Sequence, residues 1–297
     1  MPKPPKLPKN VKVVMDLTFY SKCSLWYDNF AVNLPMIRGG RDVSELPRFD
    51  GEPVVLVGAG PSIWKFNHLE LLGKWRKPII CVDKMLIPLL KRGIKPNIVA
   101  SVDGDPSIKS FYDDPAVDEV EGVKAVFSVT VHPEVVKRCP FEKYWFINIF
   151  DEPTEPRSLT AAFHFMSGRK SMLVAGGTVG FFIVNLAYFL GCNPIILIGY
   201  DYSYDDLDIT KTAYYKAYLA KCNGDKEAVK RYFSVRQNPK FKNFYLIDLM
   251  WQVYRDIFEF YVKRMPVKII NATEAGSLHS IRNVEQRRFK QVLEQYG

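Results

Sequence analysis

Cysteine and histidine are scarce in this chain, with five of the first and four of the second among 297 residues. Cys23, Cys81, Cys139, Cys192 and Cys222 stand far apart, with no CxxC pair and no Cys/His grouping at zinc spacing. That excludes a structural zinc ribbon and a disulfide framework, and the expected compartment is the reducing cytoplasm. Clean apolar runs of membrane length are also missing. The nearest, Phe181 to Tyr200, is interrupted by Asn185, Gly191, Asn193 and Pro194, and reads as a buried helix, a tight turn and a buried strand. The opening MPKPPKLPKN is basic and proline-rich without the apolar stretch of a secretory leader. No internal repeat is visible.

Core-forming residues are plentiful, at 47% hydrophobic and 14% aromatic, enough for one large domain or two modest ones. The net charge of +9 is unevenly placed: residues 211–297 hold 17 basic against 8 acidic residues, whereas residues 51–210 hold 16 against 19. Such a field favours an anionic partner, whether nucleotide, phosphorylated substrate, nucleic acid or membrane surface, or it is simply a lysine-rich solvated face.

From Pro53 onward, short apolar runs alternate with helical segments, as parallel strands joined by crossover helices do. PVVLVG (53–58), PIICVD (78–83), NIVASVD (97–103), VKAVFSV (123–129), YWFINI (144–149), PIILIGYD (194–201) and VKIINAT (267–273) read as strands covered on both faces. The expected architecture is an α/β fold, a Rossmann-like doubly wound and mostly parallel sheet with a helical cap. Residues 1–50 form an N-terminal extension with no clear unit of its own, 51–204 the nucleotide-binding core, 205–265 the cap, and 266–297 the return to the core. Within the cap, helical periodicity marks about 211–235 and 246–264.

Ligands of such sheets sit beyond the carboxyl ends of the strands, so the residues found there carry the functional reading. In VLVGAGPS, Gly58, Ala59, Gly60, Pro61 and Ser62 have the construction of a phosphate-binding turn: glycines admit a phosphate, proline suits a first helical turn, and the helix start offers N–H groups. Ile63 occupies the place of a third glycine, which disfavours a standard dinucleotide site. Asp83 closes the second strand, where a ribose-binding carboxylate or a helix cap would stand.

SVDGDP places Asp103 and Asp105 at i and i+2, on one side of an extended chain, suited to sharing a hard cation such as Mg²⁺ or to turning the chain by bonding their own backbone. AGGTVG supplies Gly176, Gly177, Thr178 and Gly180 at the start of a long apolar helix, as a second ligand turn or as close helix packing. GYDYSY adds Asp201, Tyr202 and Ser203; NATEAG adds Thr273 and Glu274. The carboxylates Asp83, Asp103, Asp201 and Glu274 thus share one rim. His132, past another strand end, is a base or a structural residue. Lys211 and Lys216 are cap residues able to reach phosphate.

The ordered set VLVGAGPS, SVDGDP, AGGTVGFFIVNLAYFLGCNPIILIGYDYSY and NATEAG resembles the archaeal 6-hydroxymethyl-dihydropterin diphosphokinases and the domain they share with bacterial motility accessory factors of flagellin glycosylation. The likeness runs over about residues 50–280, and its most specific part is GTVG with GCNPIILIGYDYSY. It implies a transferase using ATP and Mg²⁺ to place a diphosphate on a pterin, or a sialyltransferase-like enzyme using a cytidine-linked nonulosonic acid. On that reading Asp103, Asp105 and Asp201 are catalytic, Asp103 and Asp105 hold the metal, and the glycine turns hold the nucleotide. The partners are then a nucleotide and a pterin acceptor, with no membrane span; a homo-oligomer is left open. The acidic rim speaks against nucleic acid, whose phosphates it would repel.

Overall fold

The computed structural model describes residues 8–297; the start MPKPPKL lies outside the described residues. The strands are β1 (Arg41–Asp42), β2 (Val54–Val57), β3 (Ile79–Val82), β4 (Ile98–Ser101), β5 (Lys124–Ser128) and β6 (Glu142–Asn148), then β7 (Met172–Leu173), β8 (Ile195–Ile198), β9 (Phe233–Gln237), β10 (Phe244–Asp248), β11 (Ile269–Asn271) and β12 (Val284–Gln286). The helices are α1 (Lys9–Gly39), α2 (Ser62–Lys65), α3 (His68–Leu72), α4 (Leu86–Leu90), α5 (Pro115–Asp118) and α6 (Pro133–Arg138), then α7 (Leu159–Met166), α8 (Val179–Phe189), α9 (Tyr215–Lys221), α10 (Lys226–Lys230), α11 (Leu249–Val262) and α12 (Phe289–Tyr296).

One sheet runs in the order β1-β6-β5-β4-β3-β2-β8-β11-β12, with β7 beside β6, and all its ladders are parallel. Each residue of β2, β3, β4 and β8 is buried, which is why these segments are unbroken runs of Val, Ile, Leu, Ala and Cys with one Ser. The chain steps outward from β2 to β6, then returns through α8 to place β8 on the other flank of β2. The order therefore reverses between β2 and β8, the switch point of a doubly wound sheet. Helix α8 packs on β2, β3 and β4, and its Phe182 stacks on Phe146 of β6 at 4.0 Å between centroids. Truncating so buried a ring would cost about 3–5 kcal/mol.

Two segments differ from the expectation. Residues 1–50 hold a 31-residue helix, α1, whose Phe30 stacks on Phe163 of α7 at 4.1 Å and whose Trp26 packs on Phe150 at 4.4 Å. Residues 205–265 are not all helical: after the short helices α9 and α10, β9 and β10 form an antiparallel ladder pairing Phe233 with Asp248 and Gln237 with Phe244. Ser234, Val235, Arg236 and Gln237 lie on an outer, partly exposed strand, so no apolar run marks it.

Candidate functional site

At the switch point the loops after β2 and β8 touch. The Gly60 N–H donates to Gly199 O at 2.8 Å, a Cβ on Gly58 would lie 2.5 Å from that carbonyl, and one on Gly60 would lie 1.9 Å from Asp201 Oδ2. Glycine is needed at both places for this approach. Asp201 is 3% exposed; its Oδ2 accepts from Ser62 Oγ at 2.6 Å and its Oδ1 from the Ser62 N–H at 3.3 Å. The anion at the start of α2, beside Ala59 and Pro61, is thus the chain's own carboxylate. Burial, partly offset by Ser62, pushes Asp201 up to about 7. A narrow crevice of about 10 Å³, room for about one water, adjoins it, lined among others by Ser62, Lys65, Ser203, Asn243 and Gly276.

Asp83 is also turned inward. Its Oδ2 accepts from Ser101 Oγ at 2.7 Å, its Oδ1 from the Lys84 N–H at 2.8 Å, and Ser101 Oγ lies 2.9 Å from the Tyr112 hydroxyl. Burial raises Asp83 to about 6, with the Asp103 charge adding in the same direction. The two hydrogen bonds hold it against that rise.

Beyond β4, Asp103 and Asp105 face outward. Asp103 Oδ1 accepts the Asp105 N–H at 3.1 Å, and Asp105 Oδ1 accepts the Ser107 N–H at 2.9 Å, so each carboxylate bonds backbone through one oxygen. Asp105 caps the 3-10 turn Pro106–Phe111, and the Ser107 bonds hold it below the usual carboxylate range, with Lys22 and His132 close enough to add to the effect. Helix α1 lies over this loop: Asn29 Nδ2 donates to Gly104 O at 3.0 Å and Thr130 O at 3.1 Å, and Asn33 Nδ2 to Val131 O at 2.8 Å.

The second glycine turn opens α8. Gly176 and Gly177 both take left-handed backbone, at φ +59° and +80°, and Thr178 caps the helix by accepting the Phe181 N–H at 3.1 Å. The N–H groups of Val179 and Gly180 fall in the first turn, which has no intrahelical acceptor for them. A Cβ on Gly177 would lie 3.0 Å from Tyr254 Cε1. Burial, with the Asp248 and Asp103 charges, pushes the Tyr254 phenol up against its hydrogen bond with Tyr214. Tyr254 of α11 therefore packs on the Gly177 turn.

Other candidates have structural partners. Tyr202 OH lies 3.1 Å from Thr178 Oγ1, Ser203 Oγ donates to Asp201 O at 3.1 Å, and Thr273 Oγ1 accepts the Tyr200 N–H at 3.0 Å. Glu274, at φ +63°, turns to His68 Nε2 at 3.4 Å and accepts the Phe289 N–H at 3.0 Å, tying α12 to the core. Lys211 pairs with Asp206 at 2.8 Å, Lys216 is exposed on α9, and His132 caps α6. The strand-end acids therefore share a rim, yet Asp83, Asp201 and Glu274 are turned to protein partners and the Asp103 and Asp105 pair faces solvent.

Among the described residues no group of three His, Cys, Asp or Glu could hold a metal. A pair with one oxygen each left over fits Mg²⁺, which keeps waters and completes its shell with substrate phosphates, better than an ion needing an all-protein cage. Asn29, Tyr214 and Tyr254 were not among the sequence candidates. The signal for the first was a buried asparagine pair, Asn29 and Asn33, four apart on an apolar helix face; the tyrosines gave none.

A family model described as 6-hydroxymethylpterin diphosphokinase MptE-like matches residues 28–207, from within α1 through the loop after β8. No curated protein matches the chain. Among solved structures, the Maf glycosyltransferase from Magnetospirillum magneticum AMB-1 superposes with a TM-score of 0.60 at 18% identity, covering 88% of this chain and 38% of that one. At that identity the likeness is one of fold, and the chain spans well under half of that protein's length.

Proposed function

The chain belongs to the 6-hydroxymethylpterin diphosphokinase MptE-like family, a family of transferases, and from that membership we propose that it transfers a diphosphate from ATP to the hydroxymethyl group of a pterin. The observation that carries this reading is the pairing of two loops on one rim: the outward carboxylates Asp103 and Asp105, and the Gly176–Gly180 turn with the α8 N-terminus behind it. Asp103 and Asp105 would hold Mg²⁺, whose chemistry is to neutralise the phosphate oxygens. The turn N–H groups would take phosphate oxygens, and Tyr254 would border the acceptor.

The substrate hydroxyl oxygen attacks the β-phosphorus of ATP, the bond to the α-phosphate oxygen breaks, AMP leaves, and the hydroxyl proton passes to solvent or a carboxylate. The protein's share of such chemistry is alignment and charge neutralisation. Because Asp201 already occupies the start of α2, the phosphates belong nearer α8 than the GAGPS turn.

Transfer of a sugar from a cytidine nucleotide is the second reading, favoured by the fold shared with the Maf glycosyltransferase. A thermal-shift series with ATP, CTP, CMP and a CMP-sugar separates the two, since a ligand that binds the native state raises Tm. ATP with Mg²⁺ is expected to stabilise; stabilisation by CMP and not by ATP would replace the first reading with the second.

A further inference from the structure

Beside the first half of β6, away from the strand-end rim, lies an open groove of about 580 Å³. Phe141, Lys143 and Trp145 reach it together, because alternate residues of an extended chain share one face. Val136 of α6 completes its apolar wall. The charged residues lining it are Arg41, Lys137 and Lys143, and no acidic side chain lines it among the described residues. Arg41 and Lys137 already have partners, Glu142 at 3.0 Å and Glu134 at 2.8 Å. Lys143 is in no ion pair among the described residues; its Nζ donates to the Phe141 carbonyl at 3.2 Å, which leaves two N–H groups for another acceptor.

Trp145 adds a second donor of the same kind. It is 1% exposed, yet its indole N–H has no acceptor among the described residues. Gly40, on the groove wall, keeps that edge of the ring bare: its φ of −90° suits any residue, but a Cβ there would lie 2.5 Å from Trp145 Nε1. A buried indole N–H ordinarily finds a partner, and here the acceptor has to come from what enters the groove.

We propose that this groove binds a small organic anion. Its apolar body rests on Val136, Phe141 and Trp145, and its carboxylate, sulfonate or phosphate oxygens accept from Lys143 Nζ and the Trp145 N–H. The volume falls within the roughly 300–1,000 Å³ of small-molecule sites. The three cations reject a positively charged ligand, and an uncharged one would leave both donors unmet. This site is separate from the strand-end rim and does not depend on which group the protein transfers.

The probe is anilinonaphthalene sulfonate, with uncharged phenylnaphthylamine as the same body lacking the sulfonate, each titrated into the whole chain and followed by fluorescence. Wild type is expected to bind one sulfonate probe per chain, about tenfold more tightly than the neutral one. Lys143→Gln is expected to weaken the sulfonate about tenfold, the scale of a hydrogen bond to a charged group, and to leave the neutral probe unchanged. Trp145→Phe, which keeps the wall and removes the N–H, is expected to weaken it about threefold, with circular dichroism matched to wild type. No saturable binding, equal affinity for the two probes, or sulfonate binding indifferent to Lys143→Gln each overturns the proposal. So does a loss on Leu17→Glu in place of Lys143→Gln, which would put the probe on the exposed face of α1.

Discussion

Ser62 Oγ donates to Asp201 Oδ2 at 2.6 Å across 139 residues of chain, and this contact ties the loop after β2 to the loop after β8. A buried carboxylate so placed links stability to pH. In the unfolded chain Asp201 titrates near about 4; folded, it is pushed up to about 7. Between those values the native state holds a proton that the unfolded state has lost, so stability falls as pH rises through the window. Tm should therefore decline from about pH 4 to about pH 7. Asp201→Asn should flatten much of that decline, with Asp83→Asn removing a further part, since Asp83 is raised in the same sense. A slope indifferent to both substitutions would show that neither group carries the linkage.

The same crossing forbids a side chain. At Gly60 a Cβ would lie 1.9 Å from Asp201 Oδ2 and 2.7 Å from Gly199 O, and the second of these is backbone that cannot swing aside. Gly60→Ala is expected to destabilise by about 2–4 kcal/mol. Denaturant unfolding measures it, and a loss below about 1 kcal/mol would mean the two loops separate easily.

Asp105 serves the fold and the proposed metal in different ways, so two substitutions tell them apart. Asp105→Ala loses the cap on Pro106–Phe111 and should cost about 1 kcal/mol. Asp105→Ser keeps a capping oxygen and should leave stability nearly unchanged, while both variants lose Mg²⁺-dependent turnover. Full turnover in Asp105→Ser would reduce the residue to its cap.

Helix α1 reaches the site through Asn29. Asn29→Leu deprives the Gly104 and Thr130 carbonyls of their buried donor and should cost about 1–3 kcal/mol in unfolding experiments. Because Gly104 lies between Asp103 and Asp105, the Mg²⁺ concentration needed for half-maximal turnover should rise as well. An unchanged metal requirement would confine Asn29 to a packing role.

The parallel sheet was legible because β2, β3, β4 and β8 are buried on both faces and therefore nearly continuous in apolar residues. Helix α1 was not, because two apolar stripes on opposite sides erase the one-sided period by which a surface helix is recognised. The β9 and β10 hairpin escaped notice because β9 is an outer strand of Ser, Val, Arg and Gln with Val235 exposed, and the buried run of β10 leads straight into α11 at Leu249. In the site, chain position at a strand end could be read from spacing, but side-chain direction could not. The left-handed backbone at Glu274 sends its carboxylate to His68, and the close approach of Gly199 to Gly60 brings Asp201 onto Ser62. Tyr254 reaches the Gly177 turn from a segment 77 residues later, a contact that only the tertiary fold creates.

In the proposed reaction Asp103 and the loop it opens support diphosphate transfer from ATP to a pterin alcohol. The direct measurement is Mg²⁺-dependent release of AMP from ATP in the presence of the hydroxymethyl pterin, for wild type and for Asp103→Ala matched in Tm. The account predicts AMP formed one for one with pterin diphosphate by wild type, and at least about a hundredfold less by the variant, the scale of charge stabilisation removed from a transition state. Equal turnover by the two proteins, or none by wild type with saturating metal and both substrates, would contradict it.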